Sequence, residues 1–261
     1  MKESRAHSIR TLVLAMVAIV IIGVLVARSY YGNINRSVDP RIAEARELYS
    51  RYDQSARTGD YYQIFALLDS IQQIYMDTRH YRVSFEMGVL ENNRAAALLT
   101  IALYADSIPR SRNPFHGREA DSVVLLARSH ALMAIDTYET WNREFEGKSG
   151  EQILEMIEPE FTEGLGHSEP DQIRKFLLNR VREIETALRE NNRRLSVCYT
   201  NLGVIYRHQG AYVEAVEQYE KALELWDRNL DAENNLNKLL NKPIKKRNIL
   251  QKLFPPNREQ K

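Results

Sequence analysis

Residues 196–229 read SVCYTNLGVIYRHQGAYVEAVEQYEKALELWDRN. Apolar residues recur at spacings of three and four on both sides of Gly210, which predicts two short helices joined by a turn. Small residues stand where two antiparallel helices approach closely, and tyrosines stand beside them to fill the remaining space. The small residues are Gly203, Ala215 and Ala222, and the tyrosines are Tyr206 and Tyr219. The stretch therefore predicts a tightly packed helical hairpin.

The spacing of these residues resembles the tetratricopeptide repeat. The residues that match the family pattern are Tyr199, Leu202, Gly203 and Tyr206 on the first helix, Gly210 and Tyr212 at the turn, and Ala215, Tyr219 and Ala222 on the second helix. Asp227 stands where the family commonly has proline, which affects only the exit turn. The resemblance implies an all-α fold of stacked hairpins, whose inner surface receives a peptide or a helix of another protein.

A single repeat cannot bury both of its faces, so further helices must pack against it. Residues 230–241 predict a capping helix, and residues 171–191 predict an amphipathic helix, giving a repeat domain over 171–241. Residues 40–143 predict a helical domain of degenerate repeats, with a general helical bundle as the alternative. The predicted helices cover about 40–57, 60–77, 80–106, 119–143, 150–157, 171–191, 194–209, 212–226 and 230–241.

Charge is unevenly distributed along the 261 residues, although the formal net charge is only +1. Acidic residues dominate residues 144–170, which we interpret as a solvated, flexible connector between the two helical domains. Basic residues dominate the tail, residues 242–261. The balanced total gives the whole molecule no bulk attraction to nucleic acid.

The N-terminal region predicts a membrane anchor. Thr11 to Ala27 carry no charge, and at ~1.5 Å rise per residue this run is near the short end of what crosses a bilayer. Basic residues precede it, so residues 1–10 should stay in the cytoplasm and the domains after the linker, residues 30–39, should lie outside it. We therefore assign residues 11–29 to a transmembrane helix, with a signal peptide cleaved near Ser29 as the alternative.

No residues form a recognisable catalytic or metal-binding motif. The six histidines are not paired with one another at helical spacing, and no phosphate-binding glycine loop or nucleophile motif occurs. Cys198 lies on the first helix of the hairpin, where a small apolar residue packs well. The sequence predicts neither an enzyme nor a cofactor. A divergent helical enzyme would instead show a cavity with convergent polar groups and a carboxylate or histidine of shifted pKa.

Three segments are candidate binding surfaces. On the first helix of the hairpin, the side away from its partner helix predicts a groove lined by Val197, Thr200, Asn201, Val204, Arg207 and His208. The alternative is that the preceding helix, residues 171–191, fills this groove. The connection from Ile108 to Arg118 offers Arg110, Arg112 and Arg118 around an exposed Phe115 to an acidic partner or lipid, or is a solvated loop. The tail offers Lys245, Lys246, Arg247 and Phe254 to a membrane or protein, or is disordered.

These features predict a membrane-tethered scaffold that assembles other proteins of a cell-envelope complex. The expected location is a bacterial inner membrane, with the helical domains in the periplasm and no nucleic-acid partner. One alternative is a cytosol-facing receptor for targeting peptides or chaperones. Another is a structural homo-oligomer of an envelope or motility machine.

Overall fold

The computed structural model describes residues 38–246. In this range the fold is all-helical, with eight α-helices and no β-strand. The helices are α1 (Ala43–Thr58), α2 (Tyr61–Asp77), α3 (Phe85–Leu103), α4 (Ala120–Phe145), α5 (Gly150–Thr162), α6 (Pro170–His208), α7 (Tyr212–Leu225) and α8 (Leu230–Leu239). None of these helices is both long and apolar enough to cross a membrane. The predicted anchor, residues 11–29, the segment before it and the first residues of the linker lie outside the described range.

The C-terminal half of α6 and α7 form the predicted hairpin, and Gly203 sets their separation. A Cβ atom at Gly203 would lie 2.5 Å from Cε1 of Tyr219, so only glycine allows this approach. Ala215 and Ala222 on α7 are fully buried, as the small-residue pattern predicts. The hairpin is therefore held at the close spacing that its sequence indicates.

The same contact recurs between α3 and α4. A Cβ atom at Gly88 would lie 3.0 Å from the ring of Tyr138, which is itself buried. The two helices pack as a second glycine-spaced hairpin, but a connection from residue 104 to 119 separates them in sequence. Met87 and Gly88 resemble the Leu-Gly pair of the repeat in sequence, and the structure adds that the ring of Tyr138 is the group that packs on Gly88.

Helix α6 is one continuous helix of 39 residues, whereas the sequence predicts two helices with a break near residue 192. Residues 190–194 contain no glycine or proline to end a helix, and Asn191 is 2% exposed. Burial of this part of α6 against its neighbours outweighs the weak helix propensity of two consecutive asparagines.

The acidic segment 144–170 is not the solvated, flexible connector that its charge suggests. It contains α5, which starts at a capping box between Ser149 and Gln152. Ile153, Ile157 and Phe161 are buried at spacings of four residues. The acidic residues occupy the other faces of this helix. The segment is therefore an amphipathic helix despite its many acidic residues.

A single buried cluster runs through the described helices, from Ile42 before α1 to Leu236 on α8. Both predicted helical domains and the acidic segment contribute residues to it. The core is thus shared across the whole of residues 38–246.

Candidate functional site

The predicted groove on α6 is largely occupied by the protein's own side chains. Thr200 is buried, donates a hydrogen bond to the carbonyl oxygen of Ser196 at 2.7 Å, and accepts one from Nδ2 of Asn229 at 2.9 Å. Nδ2 of Asn201 donates to Oδ1 of Asn92 on α3 at 3.0 Å. Thr200 and Asn201 therefore contribute to packing between helices.

The remaining predicted groove residues form a narrow, partly open strip. Arg207 donates to Oδ1 of Asn235 on α8 at 2.9 Å, and His208 lies 3.9 Å from Asp121. Val204 is half-buried against the core, whereas Val197 is 37% exposed. The side chains that close the groove come from α3, α4 and α8. Residues 171–191 cannot fold back into it, because they continue directly into the same helix.

The connection before α4 is also more ordered than a solvated loop. Nη1 of Arg112 donates to the carbonyl oxygen of Thr58 at 2.8 Å. Phe115, predicted to be exposed, lies edge-on to Phe65 with ring centroids 5.5 Å apart, and the guanidinium of Arg118 lies 5.2 Å from its ring centre. Arg110 is exposed.

Only the start of the basic tail falls within the described residues. Its backbone is tied to α8 by two hydrogen bonds between Lys245 and Asn234, of 2.8 and 3.0 Å, and Nζ of Lys245 pairs with Glu233 at 2.8 Å. Lys246 is exposed, and Arg247 and Phe254 lie outside the described range. The tail therefore begins as a strap along the last helix.

A cavity of about 510 Å³ lies where α1, the end of α2, the start of α3 and the middle of α6 meet. Its lining combines arginines, aromatic rings and two carboxylates. The lining residues are Ile42, Arg46, Tyr49, Tyr75, Phe85, Glu86, Arg182, Glu183, Thr186, Ala187 and Arg194. No sequence motif indicated this cavity.

Arg180, which is 1% exposed, lies beside the cavity and binds Glu86 of its lining. Its guanidinium binds both carboxylate oxygens of Glu86 at 2.5 and 3.1 Å and donates from Nε to Nε2 of His80 at 3.0 Å. It also lies 4.3 Å from the ring centre of Tyr81. A buried guanidinium with this many partners holds α6 against the start of α3.

The pKa values of this cluster are shifted away from neutrality. Burial raises the pKa of Glu86, but the charge and hydrogen bonds of Arg180 outweigh burial, so the net pKa is lowered. Burial, together with the charges of Arg180 and Arg41, lowers the pKa of His80 to about 3. Glu86 lines the cavity and His80 does not, and neither group changes its protonation state near pH 7. Across residues 38–246, no cluster of side chains has the make-up of a metal site.

Two arginines of the cavity have no carboxylate partner in the described part of the chain. Arg194 stacks on Phe85, with its guanidinium 4.8 Å from the ring centre, and its buried Nη1 atom has no acceptor. Arg182 is exposed at the cavity edge, and no ion pair joins it to another described residue. By contrast, Arg46 pairs with Glu183. The cavity therefore presents positive charge beside aromatic rings.

One feature of the sequence points toward this site. Arg180 stands on the apolar face of α6, between Leu177 and Val181, where a charge requires a buried partner. The identity of that partner depends on the packing of α3 against α6, which the pattern along α6 alone does not specify.

Comparison with known families and proteins gives one match. Residues 196–229 match the model of the tetratricopeptide repeat, a module that generally binds other proteins and has no catalytic activity of its own. Searches of curated proteins and of solved structures return no match. A tetratricopeptide repeat is thus found in the α6–α7 hairpin.

Proposed function

We propose that this chain is a membrane-tethered scaffold that binds other proteins of a cell-envelope complex. The tetratricopeptide repeat at residues 196–229 carries the binding part of the proposal. The apolar run from Thr11 to Ala27, preceded by basic residues, supports the tether and an extracytoplasmic helical body.

Val197 is the best point at which to test the repeat surface. It is 37% exposed on α6, within the strip that the sequence assigns to partner binding, so a charge there should disturb a partner without disturbing the core. Val213 on α7 belongs to the same repeat and is 71% exposed, which makes it a matched control.

The experiment is in-cell crosslinking of the full-length protein, followed by identification of the captured proteins. We expect the wild type and Val213→Glu to capture the same set of envelope proteins, and Val197→Glu to lose it. If all three proteins capture the same set, the strip is not the binding surface. If the wild type captures no defined protein other than a differently tagged copy of itself, the chain is a structural homo-oligomer.

Topology requires a separate measurement. A reporter enzyme that is active only outside the cytoplasm, fused at the C-terminus, should be active if the proposed orientation is right. Activity of a cytoplasm-dependent reporter instead would identify the cytosol-facing receptor.

A further inference from the structure

The cavity between α1, α3 and α6 has more guanidinium groups than carboxylates. Its lining and the pairs beside it contain four guanidiniums, from Arg46, Arg180, Arg182 and Arg194, and two carboxylates, from Glu86 and Glu183. Glu86 is engaged by Arg180 through both oxygens, and Glu183 accepts from Arg46 and from Asn179. The two carboxylates are thus already used, and the excess positive charge rests on Arg182 and Arg194.

One hydrogen-bond donor of the cavity, Arg194, is held in place by its neighbours. Arg194 is held by its stacking on Phe85, and the burial of its free Nη1 atom carries the cost of an unsatisfied charged donor. Burial raises the pKa of Tyr49 and of Tyr75, so both phenol groups keep their protons at neutral and alkaline pH. An acceptor that enters the cavity meets Arg182 at its exposed edge, and it reaches the buried Nη1 of Arg194 only by displacing the side chains that cover that atom.

The walls of the cavity also select for the kind of ligand. The half-buried rings of Phe85 and Tyr49 provide apolar contacts beside the arginines, and the cavity opens to the surface at Arg182 and Thr186. A carboxylate fits the planar donor pattern of a guanidinium, and apolar neighbours of that carboxylate fit the walls. A protein segment can carry both a carboxylate and adjacent apolar side chains.

We propose that this cavity binds an acidic segment of a partner protein, in which a Glu or Asp side chain pairs with the guanidinium groups of Arg182 and Arg194 while adjacent apolar side chains pack on Phe85 and Tyr49. The proposal rests on the scaffold function above and names the chemistry of the partner. The lining residues all precede the repeat in sequence, and Arg194 lies one turn before Val197 on α6, so the cavity and the Val197 strip adjoin each other.

Binding can be measured by fluorescence anisotropy, with the full-length protein in detergent micelles and a short fluorescein-labelled peptide of Glu, Leu and Phe residues. The control peptide carries Gln in place of every Glu. Arg182→Gln removes an exposed charge at the cavity edge and should not affect folding, while Arg194→Gln removes the buried donor. Arg174→Gln is the matched control, since Arg174 is an exposed arginine of α6 that does not line the cavity.

We expect the acidic peptide to bind the wild type and Arg174→Gln equally, and each cavity variant to weaken binding by roughly tenfold. Replacing Glu by Gln in the peptide, or raising the salt concentration, should weaken binding similarly. Three results would overturn the proposal: no binding of the acidic peptide by the wild type, unchanged binding by Arg182→Gln, or an equal loss with Arg174→Gln. If the wild type binds inorganic phosphate in a calorimetric titration but does not bind the acidic peptide, the cavity is a small-anion site and the proposal is overturned. Peptide binding is measured with Val197→Glu as well, because unchanged peptide affinity in a variant that loses capture would separate the cavity proposal from the scaffold proposal.

Discussion

Arg180 is the largest side chain that is fully buried in the described part of the chain. The carboxylate of Glu86 neutralises its charge, and Nε2 of His80 accepts a hydrogen bond from its Nε–H. The guanidinium also lies against the rings of Tyr81 and Phe85. A buried charge of this kind is tolerated only when all its partners are present. The neutral state of His80 is one of these requirements, because a protonated imidazole could not accept a hydrogen bond from the guanidinium.

Acid should therefore destabilise the fold through His80. Its pKa is about 3 in the folded protein and about 6.5 in an unfolded chain, so the unfolded state binds more protons between these values. The stabilisation is fully present above pH 6.5 and is lost as the pH falls toward 3. We expect the free energy of unfolding to fall by about 2 kcal/mol between pH 7 and pH 5 through this group.

The measurement is urea unfolding of the full-length protein in detergent at several pH values from 5 to 7. His80→Gln keeps an acceptor for Arg180 but cannot be protonated, so its stability should depend less on pH across this range. Glu86 contributes at lower pH, because its lowered pKa affects stability only as the pH falls below its unfolded value. An unchanged pH dependence in His80→Gln would contradict the assignment.

Gly203 and Gly88 each pack against a tyrosine ring, but the ring lies closer to Gly203. We therefore expect alanine to lower the free energy of unfolding more at Gly203 than at Gly88. In Gly203→Ala the new Cβ would lie 2.5 Å from Cε1 of Tyr219, which is fully buried and cannot move aside. We expect this variant to lose about 2 kcal/mol of unfolding free energy. In Gly88→Ala the distance to Tyr138 is 3.0 Å, and the better helix propensity of alanine offsets the crowding, leaving stability within about 1 kcal/mol of the wild type. Chemical denaturation gives the free energy of unfolding of both variants. An equal decrease in the two variants would contradict the difference in packing distance between the two hairpins.

At the scale of elements, α6 joins the tetratricopeptide repeat rigidly to the helices before it. Its N-terminal half carries Arg180 and the cavity residues, and its C-terminal half is the first helix of the repeat. A change that breaks the helix near its middle should therefore destabilise the protein even where no side chain contact is lost.

Asn192 allows this continuity to be tested, because its side chain is exposed. Asn192→Pro would remove a backbone hydrogen bond and place the proline ring against the preceding turn, at a cost of about 3 kcal/mol or more. Asn192→Ala should instead be neutral or slightly stabilising, since alanine has the higher helix propensity. Thermal unfolding followed by circular dichroism would compare the two variants. If Asn192→Pro unfolds at the same temperature as the wild type, residues 170–208 form two helices joined by a turn.

The elements that the sequence predicts correctly are those with a complete local pattern. The α6–α7 hairpin is confirmed because its glycine, alanines and tyrosines lie within one short stretch. The wrong break near residue 192 and the solvated connector at 144–170 have a common cause. In both places polar or charged residues suggest exposure, while the apolar residues that determine packing, such as Leu195 and Phe161, are sparse and find their partners in distant helices.

At the scale of the whole molecule, the cavity depends on contacts that no local pattern specifies. Arg46, Glu86 and Arg194 come from three helices that are far apart in the sequence, and only their packing brings them together. The predicted groove is narrower than the sequence indicates, because distant parts of the chain cover two of its residues. Asn201 and Thr200 face outward from their own hairpin, but α3 and the residue that caps α8, Asn229, cover them.

A core shared by all eight described helices predicts one cooperative unfolding transition for residues 38–246. The two tryptophans of the chain report on the two regions that the sequence assigns to separate domains. Trp141 is buried on α4 against Phe85, and Trp226 follows α7, with the guanidinium of Arg193 lying 5.2 Å from its ring centre. Trp226→Phe leaves Trp141 as the only probe, and Trp141→Phe leaves Trp226.

In each single-tryptophan variant, unfolding by urea can be followed by fluorescence and by far-ultraviolet circular dichroism on the same sample. We expect the two signals to coincide in both variants, because neither region can lose its helices without exposing the core of the other. Two separate domains would instead give a two-step circular dichroism curve, with Trp141 following one step and Trp226 the other. That result would imply that the cavity region and the repeat unfold independently although α6 joins them. The coincident result would mean that a ligand bound to Arg182 and Arg194 stabilises the tetratricopeptide repeat as well, since binding to the native state alone raises the stability of the whole cooperative unit.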